Sequence, residues 1–337
     1  MKMLQFFSRK VALTLALALA LSAGGVIQGH AARIIKLAHP NVPAHPMGQG
    51  YELFKKDLEE RSKGAFKVQI YDSSKYGNFD AVVQGIRMGV LQMGSDGVGN
   101  FSVFNPKLML FDMPFMIPSY EASDLITDGP IGQELAKSLE SNNIKGLGYI
   151  EIGFKNIFSN RPVRTLEDAK DLKIRSTHSK AHIAVLQALG MNPTPVAWGE
   201  VYTALQQKTV DGIDIDLNLA YFNKFPELTK YVTMSRTVYS PHLVMISTKF
   251  WDKLTPQEQQ WVTESFKVMQ EFERAEIRKN EAMIIEKIKA SGGEVIELTP
   301  EERQRWVEAT KGVFAKFNDA IPAATVEAVR NTVNAGK

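Results

Sequence analysis

Residues 172–212 read LKIRSTHSKAHIAVLQALGMNPTPVAWGEVYTALQQKTVDG, and the patterns in that stretch follow one another as strand, helix, loop, helix and turn. Leu172–Arg175 predicts a short apolar strand carrying one arginine. The spacing over 178–189 predicts a helix, and Pro193–Trp198 a buried loop. A second amphipathic helix then runs up to the Val210-Asp211-Gly212 turn. Arg175 is the residue of chemical interest. An arginine fixed on a strand beside aromatic and small residues suits recognition of a carboxylate, because its planar fork matches two oxygens. An arginine facing solvent or paired with a structural acid fits the same spacing equally well, so the residues alone leave its role open.

Outward from there the alternation continues. Ile34–Ala38, Phe66–Tyr71 and Val90–Ser95 predict strands, with helices over Met47–Arg61 (Tyr51, Phe54 and Leu58 on one face) and Ala81–Met88. Gly97-Val98-Gly99 and an apolar patch over Leu108–Ile117 follow. A second unit begins near Gly146–Glu151 and repeats the rhythm. Val238–Ser247 predicts a long strand able to return the chain to the first unit. Residues 256–290 predict one long helix, opened by the Thr255 cap with Pro256 at its first position. Glu301–Phe317 predicts a further amphipathic helix. The fold class is α/β, with helices on both faces of each sheet. The sequence has no internal repeat, low-complexity tract or Pro/Ser-rich linker, so crossing strands rather than a flexible tether are expected between the units.

The N-terminus reads as an export leader. Lys2, Arg9 and Lys10 precede the apolar run Val11–Leu21, and small residues lead to a cleavage site after Ala31 or Ala32. The run is shorter than the roughly 20 residues a spanning helix needs. The full chain of 337 residues has 40 basic and 37 acidic residues, a formal charge of +3; without the three leader cations the balance is 37 against 37. Nothing in that balance points to nucleic acid or an acidic membrane surface. The absence of cysteine excludes disulfides, thiolate metal sites and cysteine nucleophiles.

Several segments agree, in order and spacing, with one known family. Lys173-Ile174-Arg175-Ser176 resembles its KIRV strand, Gly153-Phe154-Lys155 its GFR segment, and Ser159-Asn160-Arg161-Pro162 its SNRP turn. Asp168–Leu172 resembles DLKGL, Glu200–Gln206 reads EVYTALQ as the family does, and Val210-Asp211-Gly212 matches its VDG. Gly77, Gly89 and Asp112-Met113-Pro114-Phe115 look like its LG, G and LPF positions. On these motifs the chain resembles the solute-binding proteins of tripartite ATP-independent periplasmic (TRAP) transporters, the DctP-type family, over essentially its whole mature length. The resemblance implies a two-lobed periplasmic binding protein fold, each lobe a mixed sheet flanked by helices, with a long helix spanning both. It implies a signal peptide over 1–32, lobe I over 33–152 plus about 241–280, and lobe II over 153–240 plus about 281–337.

The resemblance also implies a site. Arg175 takes the place of the arginine that clamps the ligand carboxylate, and Lys155 replaces a second arginine, keeping the charge but losing the fork. Trp198 falls at the aromatic pocket wall. Asp96 follows a strand and precedes Gly97-Val98-Gly99, at the kind of strand end where open α/β sheets bind ligands. His39, Asn41, Asn78 and Phe79 lie on first-lobe loops, His178 at a helix start, and His242, with Tyr239, on the returning strand. Where the family reads DGQEN this chain reads Asp211-Gly212-Ile213-Asp214-Ile215-Asp216, so Ile215 stands at a ligand-contacting asparagine. Asp211, Asp214 and Asp216 otherwise read as a solvated turn and cap. His178 and His182 have i,i+4 spacing but lack a neighbouring glutamate and a third ligand. No dinucleotide fingerprint, nucleophile elbow or paired-carboxylate motif stands out. Neither metal nor cofactor is expected, and no enzymatic role.

The expected function is periplasmic capture of a small organic anion by hinge closure and its delivery to a TRAP membrane permease, with a monomer expected and a dimer through the long helix as the alternative. A zwitterion or small amine held at Asp96 or Asp216 stays open as ligand. A periplasmic enzyme or the ligand-presenting subunit of a signalling receptor stays open as function.

Overall fold

The computed structural model describes residues 32–336; the leader expected over 1–32 lies outside them except for Ala32. The first sheet collects β1 (Arg33–Ala38), β2 (Phe66–Tyr71), β3 (Met93–Gly97) and β4 (Ile144–Ile150), separated by α1 (Pro46–Arg61), α2 (Phe79–Met88), α3 (Tyr120–Thr127), α4 (Pro130–Lys137) and three short 3-10 segments. The chain then crosses to β5 (Asn156–Ser159), α5 (Leu166–Ala169), β6 (Lys173–Ser176), α6 (Lys180–Ala188), β7 (Asn192–Pro195), α7 (Val201–Gln206), β8 (Gly212–Ile215), α8 (Leu217–Phe222) and β9 (Tyr231–Met234). It returns as β10 (His242–Ser247) and continues through α9 (Thr248–Trp251) and α10 (Pro256–Ala290). A final passage brings β11 (Glu294–Glu297) to the second sheet, followed by α11 (Pro300–Thr310), α12 (Gly312–Lys316) and α13 (Ala323–Ala335).

The strand orders are β2-β1-β3-β10-β4 and β11-β9-β5-β8-β6-β7. Both sheets are mixed: β1 and β3 run parallel while β10 is antiparallel to β3 and β4, and β6 runs parallel to β7 and β8 while β5 is antiparallel to β8 and β9. Three passages therefore link the sheets: β4 to β5, β9 to β10, and the helical route from β10 to β11. Both lobes belong to one compact unit, Ile34–Lys337.

The elements form where the apolar spacing demands. Met47, Tyr51, Phe54 and Leu58 make one buried stripe along α1. That stripe meets α10, and Gly50 permits the close approach, since a Cβ there would stand 3.1 Å from Met269 Cγ. α10 opens with a capping box in which Thr255 and Glu258 satisfy each other's backbone N–H groups. Its 35 residues reach about 52 Å at 1.5 Å per residue, enough to pack on α1 of the first lobe and α8 of the second.

Four expectations need adjustment. Val238–Ser247 is strand only from His242; the preceding residues form a crossing held by a bridge between Phe154 and Tyr239 and by bonds from the Phe115 and Val98 N–H groups to the Thr237 and Pro241 carbonyls. The third strand starts at Met93, because α2 ends in a left-handed cap at Gly89 and the next residues complete that turn. The helix expected over Glu301–Phe317 breaks into α11 and α12. Finally, Pro193–Trp198 is not a buried loop. It begins inside β7, whose two prolines are tolerated because β7 is the edge strand and Asn192 and Pro195 are exposed.

Candidate functional site

A cavity of about 430 Å³ lies between the lobes, a size typical of small-molecule sites. Strand ends and the loops after them build both walls. The first lobe contributes the end of β3, the N-terminus of α2 and the 3-10 segment that follows β3. The second contributes β6, the loop after it and the Trp198–Glu200 turn.

Arg175 is the centre of the second wall. Its strand is held on both sides, against Thr194 of β7 and Ile213 of β8. Nε and Nη2 donate to the Val196 carbonyl at 3.1 and 3.0 Å, which fixes the plane of the guanidinium. Three of its five N–H groups are left for other acceptors. The guanidinium also lies 5.7 Å from the centre of the Trp198 ring, and that ring packs edge-on against Phe225. Burial lowers the Arg175 pKa to about 10, with Asp96 and Asp214 opposing the shift, so it is cationic at neutral pH.

Asp96 faces it from the first lobe. One carboxylate oxygen, Oδ1, accepts from the Gly97 N–H at 2.8 Å and from Asn100 Nδ2 at 2.6 Å. Burial pushes its carboxyl up to about 6 against the pull of these two donors and Arg175. Asn78 caps α2 by accepting from the Ala81 N–H, leaving its NH2 group as a donor. Phe79 stands edge-on to Phe101 at 5.1 Å. With His178, these residues bring six sequence-derived candidates to one cavity: Arg175, Asp96, Asn78, Phe79, His178 and Trp198.

The other six lie elsewhere, each for a definable reason. Lys155 is buried with its Nζ 3.6 Å from Asp112 Oδ1, so its charge is balanced within the protein. His39 stacks on Tyr51 at 4.9 Å, and burial lowers its pKa to about 4. Asn41 turns its amide to the Met47 sulfur. His242 is buried in β10 and held neutral, with its pKa lowered to about 3 by burial. Ile215 lies in the apolar core beneath β8. Asp216 is the N-cap of α8, accepting from the Leu219 N–H at 2.9 Å, and burial pushes it up to about 8. Nor is this segment a solvated turn: Asp214 and Asp216 are 1 % and 2 % exposed, and Asp214 pairs with His182 Nε2 at 2.9 Å. Tyr239 is likewise buried, at the crossing.

Sequence reasoning missed Ser74, Asp80, Asn100, Thr177 and Glu200 as lining residues. A signal existed for two. Asn100 sits four residues past Asp96 in the same turn, and Thr177 directly follows the arginine strand. Glu200 opens the EVYTALQ motif but is not singled out by it as a lining residue, and Ser74 and Asp80 have no motif.

Comparison with known proteins gives a consistent picture. Residues 37–320 match the family described as bacterial extracellular solute-binding protein, family 7 (DctP). The chain is 35% identical over 240 residues to the 2,3-diketo-L-gulonate-binding periplasmic protein YiaO of Escherichia coli, covering 71% of this chain and 73% of that one. It is 31% identical over 296 residues to the C4-dicarboxylate-binding periplasmic protein DctP of Vibrio cholerae, covering 88% and 89%. Among solved structures it resembles the sugar acid binding protein DctPAm of Advenella mimigardefordensis in complex with galactonate. There the TM-score is 0.88 and the identity 27%, with 91% of this chain and 99% of that one covered.

Proposed function

Because the chain belongs to bacterial extracellular solute-binding protein family 7, the DctP-type binding subunits of TRAP transporters, we propose that its ligand is a polyhydroxylated monocarboxylate of the sugar-acid kind. The protein is a periplasmic solute-binding subunit, not an enzyme; it takes a small organic acid and works with the membrane permease of its transporter.

The charge of the cavity wall carries the finer reading. Among the described residues Arg175 is the one Lys or Arg in the lining, against the carboxylates of Asp80, Asp96 and Glu200. A single ligand carboxylate has a partner there. A second would enter beside acids with no second cation, since Lys155 is already matched by Asp112, and burying an unmatched charge is costly. Hydroxyl groups fare better. Asp96 accepts from them, while the Asn78 amide and the Ser74 and Thr177 hydroxyls can donate or accept. The galactonate and diketogulonate binders among the relatives support the same class. In this mechanism Arg175 clamps the carboxylate, Trp198 covers the ligand body, and the first lobe closes over the hydroxylated end.

The opposition of Arg175 and Asp96 also suits a zwitterion, with its ammonium at Asp96. Calorimetry with galactonate, gluconate, succinate and a panel of amino acids tests these readings. Aldonate binding without succinate binding is the expected result; tight succinate binding alone overturns it, and binding of amino acids alone favours the zwitterion. Arg175→Ala should weaken binding of the accepted acid on the order of 30-fold or more.

A further inference from the structure

The ligand cavity does not end at Trp198. A second space of about 140 Å³ lies on the far side of that residue. The two share Pro40, Ser74, Trp198 and Gly199 as common walls, so they adjoin within the interlobe cleft. The second chamber is bounded by both lobes as well: Val42 and Ser73 come from the first, Tyr202, Asn223 and Phe225 from the second. Hinge closure therefore acts on both chambers together.

Its chemistry differs from that of the first. No carboxylate, ammonium or guanidinium lines it. It is lined by the aromatic residues Trp198, Tyr202 and the largely buried Phe225, and by neutral hydrogen-bonding groups in Ser73, Ser74 and Asn223. Asn223 donates to the Leu219 carbonyl through Nδ2, which leaves its amide oxygen as an acceptor. A second carboxylate would find no cation here. A purely aliphatic tail would strip water from the serines and asparagine without replacing it. A sugar ring satisfies both halves of the surface, its C–H face against the aromatic rings and its hydroxyls toward the serines and the amide.

Resting on the monocarboxylate reading above, we infer that the second chamber is a subsite for a neutral glycosyl unit, and that the protein accepts aldobionic acids, in which a sugar is joined to the aldonate held by Arg175. Trp198 then acts as the divider between an acid chamber and a sugar chamber.

Gluconate and lactobionate, a galactosyl gluconate, form the matched pair for the test. Calorimetry compares them on the wild-type protein and on two variants. Val42→Trp fills the second chamber, and Tyr202→Ala removes an aromatic face from a residue 36% exposed, where folding is little affected. Both acids should bind the wild type. In the variants lactobionate should weaken on the order of tenfold, equivalent to about 1.4 kcal/mol, while gluconate stays within about twofold. Binding of gluconate but not lactobionate to the wild type overturns the subsite and leaves the monocarboxylate reading intact. Equal effects of the variants on the two acids, or none, also overturn it. If neither acid binds, the monocarboxylate reading falls and takes the subsite with it.

Discussion

Asp96 is held in a state that costs the fold at neutral pH. Its carboxyl is raised from an ordinary 3.8 to about 6, burial being the largest cause. Between those two values the folded protein keeps a proton that the unfolded chain releases, so this group's contribution to stability falls as pH rises through the window. Above about 6 the folded state carries the cost of a partly desolvated carboxylate. Asp96→Asn should therefore raise the thermal midpoint at pH 7.5 and change it little at pH 4. The same substitution should weaken sugar-acid binding, because an amide is a poorer acceptor for hydroxyl groups. Paired melting curves and titrations check both signs; a gain in stability equal at the two pH values would exclude the proton linkage. Asp96 and Arg175 were legible in the sequence because each ends or occupies a strand that opens onto the interlobe cavity. Lys155 was not. Its chain position resembles a ligand contact, but Asp112, 43 positions earlier, claims the charge, and a partner so distant leaves no local mark.

At the scale of elements, β8 shows what spacing cannot reveal. The segment Gly212–Ile215 departs from the family pattern, with Ile215 standing where the resemblance implies a ligand-contacting asparagine. In the structure the whole strand is buried, and Ile215 pairs with Asn156 of β5 while its side chain joins the apolar core. Ile215→Asn should thus lower stability by about 3 kcal/mol, from lost burial and a poorly partnered amide. It should confer no binding of succinate. A retained melting temperature with new dicarboxylate affinity would place the residue at the ligand after all. The element order itself was readable, because apolar periodicity distinguishes helix from strand with little help from distant contacts. What periodicity could not supply were the breaks: the crossing before β10 depends on where the chain passes between the sheets, and the interruption between α11 and α12 falls where both helices pack on α6 of their own lobe.

At the scale of the whole molecule, a charged network stands beside the apolar clusters that run between the lobes. Arg278 of α10 donates through Nε and Nη2 to Glu151 at 2.9 and 2.7 Å, and through Nη1 and Nη2 to Asp124 of α3 at 2.9 and 2.6 Å. Glu151 is fully buried at the start of the crossing to β5, and burial pushes its carboxyl upward against Arg278. Arg278→Met removes the cation and should destabilise the protein by about 2 kcal/mol, discounted for the partial exposure of the arginine. Denaturant unfolding measures this, and an unchanged midpoint would mean that Glu151 is protonated at the working pH. Closure itself is open to small-angle scattering: adding a bound acid should reduce the radius of gyration, and Arg175→Ala at the same concentration should not.

The three passages between the sheets also define what the molecule can communicate. Two extended crossings and one long rod tie the lobes along a common edge, which restricts their motion largely to a single rotation. If the permease docks on the outer faces, it never touches the ligand, and the chemistry inside reaches it only as an angle. Two acids that stop the lobes at the same angle are, to that partner, the same message.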